Sequence, residues 1–275
     1  MRLVSALLFA ATAHAQTRIV STSPAITETL FALGLGSRVV AISDYCHYPP
    51  EAMRLPRIGS YLTPNIEAIV RLKPDLVFIE RLPNRAVEQL QGSAFRVQPI
   101  VTGDLEANLR MMETIAAAAG AAQKGKDLTA SVRAELRRIG AQAAKVERRT
   151  VLFIVGRTPG RLEGMVAVGK GSYLNELITI AGGRNPLAAS PLGYPKVTLE
   201  GVIRLKPGVI IDMGEMADTQ GVTDAQKQAV TRLWKSRPDL PSRVHAVASD
   251  IFVVPGPRMV DAARELVRLI HGDFK

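Results

Sequence analysis

Few residues in this chain stand at spacings that could support bond chemistry. Gly164, Gly169, Lys170 and Gly171 come close to a phosphate-cradling loop, in which glycine amides wrap the phosphates and a Ser or Thr after the lysine holds Mg²⁺. Here Gly171 follows Lys170, so that metal ligand is missing, and the run does not directly join a strand to a helix. Cys46 and His47 are adjacent potential metal ligands, and His47 or Tyr61 could reach the iron of a haem; His245 and His271 stand alone. Neither H-E-x-x-H nor C-x-x-C occurs, so no metal site is expected. No G-x-S-x-G elbow presents a serine, and nothing pairs Ser, His and Asp at a recognisable spacing. A secreted hydrolase stays open only because such a triad is assembled in space rather than along the chain. The expectation is a protein that is not an enzyme, with no catalytic residue and no cofactor.

The composition narrows the partners. The chain has 275 residues, 47% hydrophobic and 22% charged, with a single cysteine, which excludes a disordered chain, a collagen-like repeat and a disulfide scaffold. Cys46 has no internal partner for a disulfide. A net charge of +10 invites a nucleic-acid reading, but only 5% of residues are aromatic and no basic tract alternates with them. The densest basic stretch, Arg133 to Arg149, spaces its charges between apolar residues at helical intervals, which describes a solvated surface, so nucleic-acid binding is not expected. At the start, Met1-Arg2, the uncharged run Leu3 to Ala13 and Ala13-His14-Ala15 read as a secretory signal peptide, 1–15, cleaved after Ala15. The run is too short for a membrane span, which takes about 20 apolar residues.

The elements that must position any site are organised by a repeat. Ile66-Glu67-Ala68-Ile69-Val70-Arg71-Leu72-Lys73-Pro74 aligns with Leu199-Glu200-Gly201-Val202-Ile203-Arg204-Leu205-Lys206-Pro207 at a constant offset of 133, with Glu, Arg, Leu, Lys and Pro identical, and both copies continue into an apolar stretch, Leu76 to Ile79 and Val209 to Ile211. Each copy predicts a short helix stopped before a Lys-Pro turn and then a β-branched strand. Two copies half a chain apart imply two similar lobes rather than a solenoid. Further strands are expected at Ile19 to Thr22, Val39 to Ser43, Val97 to Val101, Val151 to Val155 and Ala246 to Val254. Ser23 and Ser172 are read as caps of intervening helices. Alternating strands and helices argue for α/β, Rossmann-like lobes with largely parallel sheets, and ligands then sit at the carboxyl ends of the strands.

Between the repeats Leu128, Val132, Leu136, Ile139, Ala143 and Val146 recur at helical spacing. This predicts one long rigid inter-lobe helix over 122–148, between an N-terminal lobe at 16–121 and a C-terminal lobe at 149–275, with the ligand cleft between the lobes. Lobes braced by such a helix should move little on binding.

These residues resemble the class III periplasmic solute-binding proteins, which feed cobalamin, haem and ferric siderophores to ABC importers. The resemblance rests on Ser23-Pro24-Ala25-Ile26-Thr27-Glu28 with Ala32-Leu33-Gly34, on Asp44-Tyr45-Cys46-His47-Tyr48-Pro49-Pro50-Glu51-Ala52, and on Pro64-Asn65-Ile66-Glu67 running into Leu72-Lys73-Pro74-Asp75. In the second half it rests on Gly169-Lys170-Gly171-Ser172, Gly182-Gly183, and Ser249-Asp250 before Pro257-Arg258. The Tyr-Pro-Pro-Glu-Ala stretch looks most like the cobalamin-binding branch. The resemblance implies a periplasmic, monomeric capture protein for a cobalamin-type corrinoid, with haem or a ferric siderophore as alternatives, handing its ligand to a membrane permease served by a cytoplasmic ATPase. It implies ligand contacts at Tyr48, Tyr61, Tyr194 and Asp250, and permease docking through Glu67 and Glu200. A cobalamin-binding member carries tryptophans at some of the pocket positions, and Glu80 stands where one of them would be.

Overall fold

In a computed structural model of the chain, residues 17–83, 85–214, 222–240 and 243–272 are described. The signal-peptide segment 1–15 lies outside them. The first half runs β1 (Ile19–Ser21), α1 (Pro24–Ala32), β2 (Val39–Ile42), α2 (Ile66–Arg71), β3 (Leu76–Glu80), α3 (Ala86–Gln89), β4 (Arg96–Ile100) and α4 (Leu105–Ala118). Its strands form one parallel sheet in the order β2-β1-β3-β4. Helix α5 (Ala122–Ala143) leads to the second half: β5 (Arg149–Gly156), β6 (Met165–Ala167), α6 (Tyr173–Ile180), β7 (Gly183–Arg184), β8 (Lys196–Val197), α7 (Leu199–Leu205), β9 (Val209–Asp212), α8 (Asp224–Lys235), β10 (Arg243–Ala246) and α9 (Met259–His271). There β7, β5, β9 and β10 are parallel neighbours, and β6 and β8 add an antiparallel flap to β5. The fold is therefore α/β in two lobes with largely parallel sheets.

The repeat is visible down to backbone torsions. Asn65 caps α2 by accepting from Ala68 N at 2.9 Å, and Thr198, 133 residues later, caps α7 by accepting from Gly201 N at 3.1 Å. Both helices end at a lysine in the left-handed region, Lys73 with φ 45° and Lys206 with φ 44°. The following proline disfavours the right-handed helical region for the residue before it, so each helix must turn at this place. The strands that follow then pair alike: Ile19 sits beside Leu76, and Val151 beside Val209.

Strand alternation divides the core. Ile19, Phe78, Phe153 and Ile211 face a helical layer made by α1, α4, α5, α6 and α9, and together they form one apolar cluster spanning both lobes. Val20, Val77 and Ile79 on the opposite face pack with Ile69 and Leu90, and Leu152, Ile154 and Ile210 pack with Val202 and Trp234. The inter-lobe helix is thus part of a shared core, with α5 packed on α4, α6 and α9. Its 22 residues span about 33 Å at 1.5 Å per residue. It stops before the expected 148 because Lys145 N and Val146 N turn back to Gln142 O and Ala143 O, and the chain then leaves for β5. The strand expected over Ala246 to Val254 also differs. Pairing with β9 covers only Arg243–Ala246, and Asp250–Phe252 form a 3-10 turn that sends the chain towards α9.

Candidate ligand-binding site

A cavity of about 700 Å³ opens between the lobes. Its first wall comes from segments that leave the carboxyl ends of the N-terminal sheet: Ser23, Pro24 and Ala25 after β1, Tyr45 and His47 after β2, Tyr61 and Leu62 before α2, Glu80 at the end of β3, and Thr102 and Gly103 after β4. Parallel strands open their loops at this edge, which is why the sequence gathers these residues there. The facing wall is Gly171, Ser172, Tyr173, Tyr194, Asp250 and Val253 to Pro255.

Tyrosines line both walls. Tyr45 and Tyr61 meet edge to face, with ring centroids 5.6 Å apart and an interplanar angle of 73°. Burial, and then the nearby Glu80, raise the Tyr61 phenol. Across the cleft the Ser172 hydroxyl donates to Tyr194 Oη at 3.0 Å, and burial raises that phenol too. Exposure of 45% at Tyr45, 51% at Leu62 and 48% at Tyr194 leaves an apolar rim open to a ligand. Gly169 holds the second wall close: a Cβ there would stand 2.2 Å from Leu192 O, so the loop carrying Tyr194 packs directly on backbone. This accounts for a glycine in the run that resembles a phosphate loop. That run is in fact strand β6 and the turn after it, with β6 pairing antiparallel to β5.

Behind the cavity lies an ionic cluster that joins the lobes. Arg258, just before α9, donates from Nε to Glu28 Oε2 at 2.9 Å and from Nη2 to Glu28 Oε1. The same guanidinium donates to Asp250 Oδ1 at 3.0 Å and Oδ2 at 2.9 Å. Glu28 belongs to α1 of the other lobe, and its side chain is 2% exposed. Burial raises the Glu28 carboxyl despite Arg258. For Arg258 burial works the other way, but its two carboxylate partners outweigh it and hold the guanidinium well above its usual range. The Tyr48 ring lies under Arg258, with Cζ 4.2 Å from the ring centroid.

Tyr61, Tyr194 and Asp250, each implied by resemblance to meet a ligand, therefore lie on the cavity wall, with Asp250 already engaged by Arg258. Tyr48 is not among the residues lining the cavity: its ring is held against the arginine behind it. Glu67 and Glu200 are exposed in the first turns of α2 and α7, one on each lobe. The Glu200 carboxylate is held below its usual range by its own backbone amide and by Thr198. Cys46 is buried beside Thr27 Oγ1 at 3.2 Å, and burial raises its thiol, so it serves packing. Sequence reasoning did not assign the Glu28–Arg258 pair. Its signal was a single charge in a helix whose neighbours Ala25, Ile26, Leu30 and Leu33 are all apolar.

The profile of the periplasmic binding protein family matches residues 19–239. The chain belongs to this family. Among its relatives is a vitamin B12-binding protein of Photorhabdus laumondii subsp. laumondii, 28% identical over 259 residues, which covers 92% of this chain and 88% of that protein. The periplasmic haem-binding protein of Roseiflexus sp. RS-1 in its apo form superposes with a TM-score of 0.78 at 26% identity, covering 94% of this chain and 98% of that one. The periplasmic vitamin B12-binding protein of Vibrio cholerae superposes with a TM-score of 0.72 at 26% identity, covering 92% of this chain and 96% of that one.

Proposed function

We propose that this protein captures a cobalamin-type corrinoid in the cleft between its lobes and delivers it, chemically unchanged, to the permease of an ABC importer. The observation that carries this reading is the cavity of about 700 Å³ whose two walls, one from each lobe, present Tyr45 and Tyr61 opposite Tyr194. Aromatic faces on both sides suit a large flat ring, which is held by stacking and apolar burial. The vitamin B12-binding relative supports a corrin as that ring. Haem is the second reading, favoured by the Roseiflexus neighbour and by His47 and Tyr61 on the wall.

In this reading residues 16–121 and 149–275 are the two jaws and 122–148 their brace. The protein works in the periplasm as a single copy, after loss of residues 1–15. Glu67 and Glu200 dock it: each sits in the first turn of a helix of the same repeat, so a two-lobed chain offers one carboxylate per lobe to a permease of two equivalent subunits. The cytoplasmic ATPase acts behind that permease. The test is Glu67→Ala combined with Glu200→Ala. The double variant keeps its affinity for cyanocobalamin and loses uptake in cells that depend on this chain. Unchanged uptake would refute docking through these residues.

A further inference from the structure

Glu80 is the charged group of the cavity without a cation. It ends β3, so the sheet carries its carboxyl into the cleft, where Thr102 Oγ1 donates to Oε1 at 2.9 Å and the Ser23 hydroxyl stands beside it. The other wall carboxylate, Asp250, has both oxygens on Arg258. Among the described residues no lysine or arginine pairs with Glu80, and none lines the cavity. Arg258 answers two carboxylates, Glu28 and Asp250, with a single charge, so with both ionised the cluster behind the wall carries one negative charge in excess. Glu80 adds to that field when ionised. A ligand that brings its own carboxylates to this wall meets like charge there, and like charges so placed work against binding. A ligand edged with carboxamides instead offers N–H donors to a carboxylate that has room for them.

We propose that Glu80 is a specificity-determining residue, which makes the cleft select rings whose periphery is neutral and hydrogen-bond-donating and reject rings edged with free carboxylates. The inference rests on the reading of the cleft as a site for a large metallated ring, but it concerns the charge at the ring's edge, whatever the ring. Within that reading it separates an amide-edged corrin from a porphyrin dicarboxylate by a named side chain.

Two ligand pairs in which the neutral member carries an amide or ester edge and the other a free carboxylate test it: cyanocobalamin against cobalamin monocarboxylic acid, and haemin dimethyl ester against haemin. Each is titrated into the wild-type protein, Glu80→Gln and Glu80→Asp. The wild type favours the neutral member by about tenfold or more, the size of a close like-charge contact in a partly screened site. Glu80→Gln collapses that ratio, and Glu80→Asp, which keeps the charge, retains it. The ratio is read within one protein, so a loss of packing lowers both members together and leaves it unchanged. Equal affinities within both pairs for the wild type, an unaltered ratio in Glu80→Gln, or no binding of either neutral ring would overturn the inference. If the corrinoids fail to bind while the porphyrin pair shows a Glu80-dependent ratio, the corrinoid function falls and the role of Glu80 stands. If cyanocobalamin binds but Glu80→Gln leaves the ratio unaltered, the reverse holds.

Discussion

Replacing Arg258 with methionine removes the one cation that answers Glu28 across the lobes. The loss is not a surface salt bridge worth a fraction of a kcal/mol: the Glu28 side chain is 2% exposed and both of its oxygens are bonded to that guanidinium. With methionine in place of Arg258, the Glu28 carboxylate loses both of its bonds to the guanidinium. Breaking a buried pair from one side costs about 3–5 kcal/mol. The Asp250 side chain, 18% exposed, can rehydrate and adds little. Losing the stack on Tyr48 adds about 0.5–1 kcal/mol. For a chain of this size the total lowers the melting temperature by roughly 10 °C, at about 2–4 °C per kcal/mol. Adding Glu28→Gln to Arg258→Met removes the uncompensated charge and returns most of the loss, since a neutral replacement for a buried pair is often harmless. Urea unfolding followed by the fluorescence of Trp234, the single tryptophan of the chain and fully buried, measures Arg258→Met, Glu28→Gln and the double variant. A cost below about 1 kcal/mol for Arg258→Met, or a double variant that costs the sum of the two singles, would refute the claim that this cluster ties the lobes.

Other outcomes follow from the same geometry. Burial raises the Glu80 carboxyl above the ordinary glutamate value, so the folded protein holds its proton more tightly than the unfolded chain does. Its contribution to stability is complete below the unfolded value and is lost as pH rises through the folded one. Glu80→Gln should therefore gain stability relative to the wild type as pH rises from the unfolded glutamate value through the raised value of the folded state. Chemical denaturation at several pH values reads this, and a constant difference would contradict it. Gly169→Ala puts a methyl group against Leu192 O and displaces the loop of Tyr194, so ligand affinity should fall at least tenfold while the fold persists. Isothermal titration checks it, and unaltered affinity would show that this loop does not shape the wall.

The lobes were legible in the sequence because the repeat carries its own stop signal. A Lys-Pro pair ends a helix wherever it stands, and both copies adopt the same left-handed lysine. The long helix was legible from its apolar stripe, but its end was not: Ala144 and Val146 suit a helix, and only the turn into β5 ends it. The strand drawn through Ala246 to Val254 failed because apolar β-branched residues there serve a 3-10 turn packed under α9 rather than a ladder. For the site, the family resemblance alone named Tyr48, Tyr61, Tyr194 and Asp250; the last three line the cavity, and Tyr48 stands against Arg258, 210 residues away in sequence. The Glu28–Arg258 contact spans 230 residues, and no window of sequence holds both partners. Such pairs are fixed by how the two lobes come together on their shared core, which is a property of the packed fold.

The central claim is that the cleft holds an unmodified corrinoid. Titrating the purified protein with cyanocobalamin, by calorimetry together with visible absorption of the corrin, addresses it directly. A capture protein for corrinoids gives saturable binding of one ligand per chain and recovery of the same corrinoid after the protein is unfolded. The absence of any heat or spectral response alongside tight binding of haemin, or recovery of a chemically altered corrinoid, would contradict it.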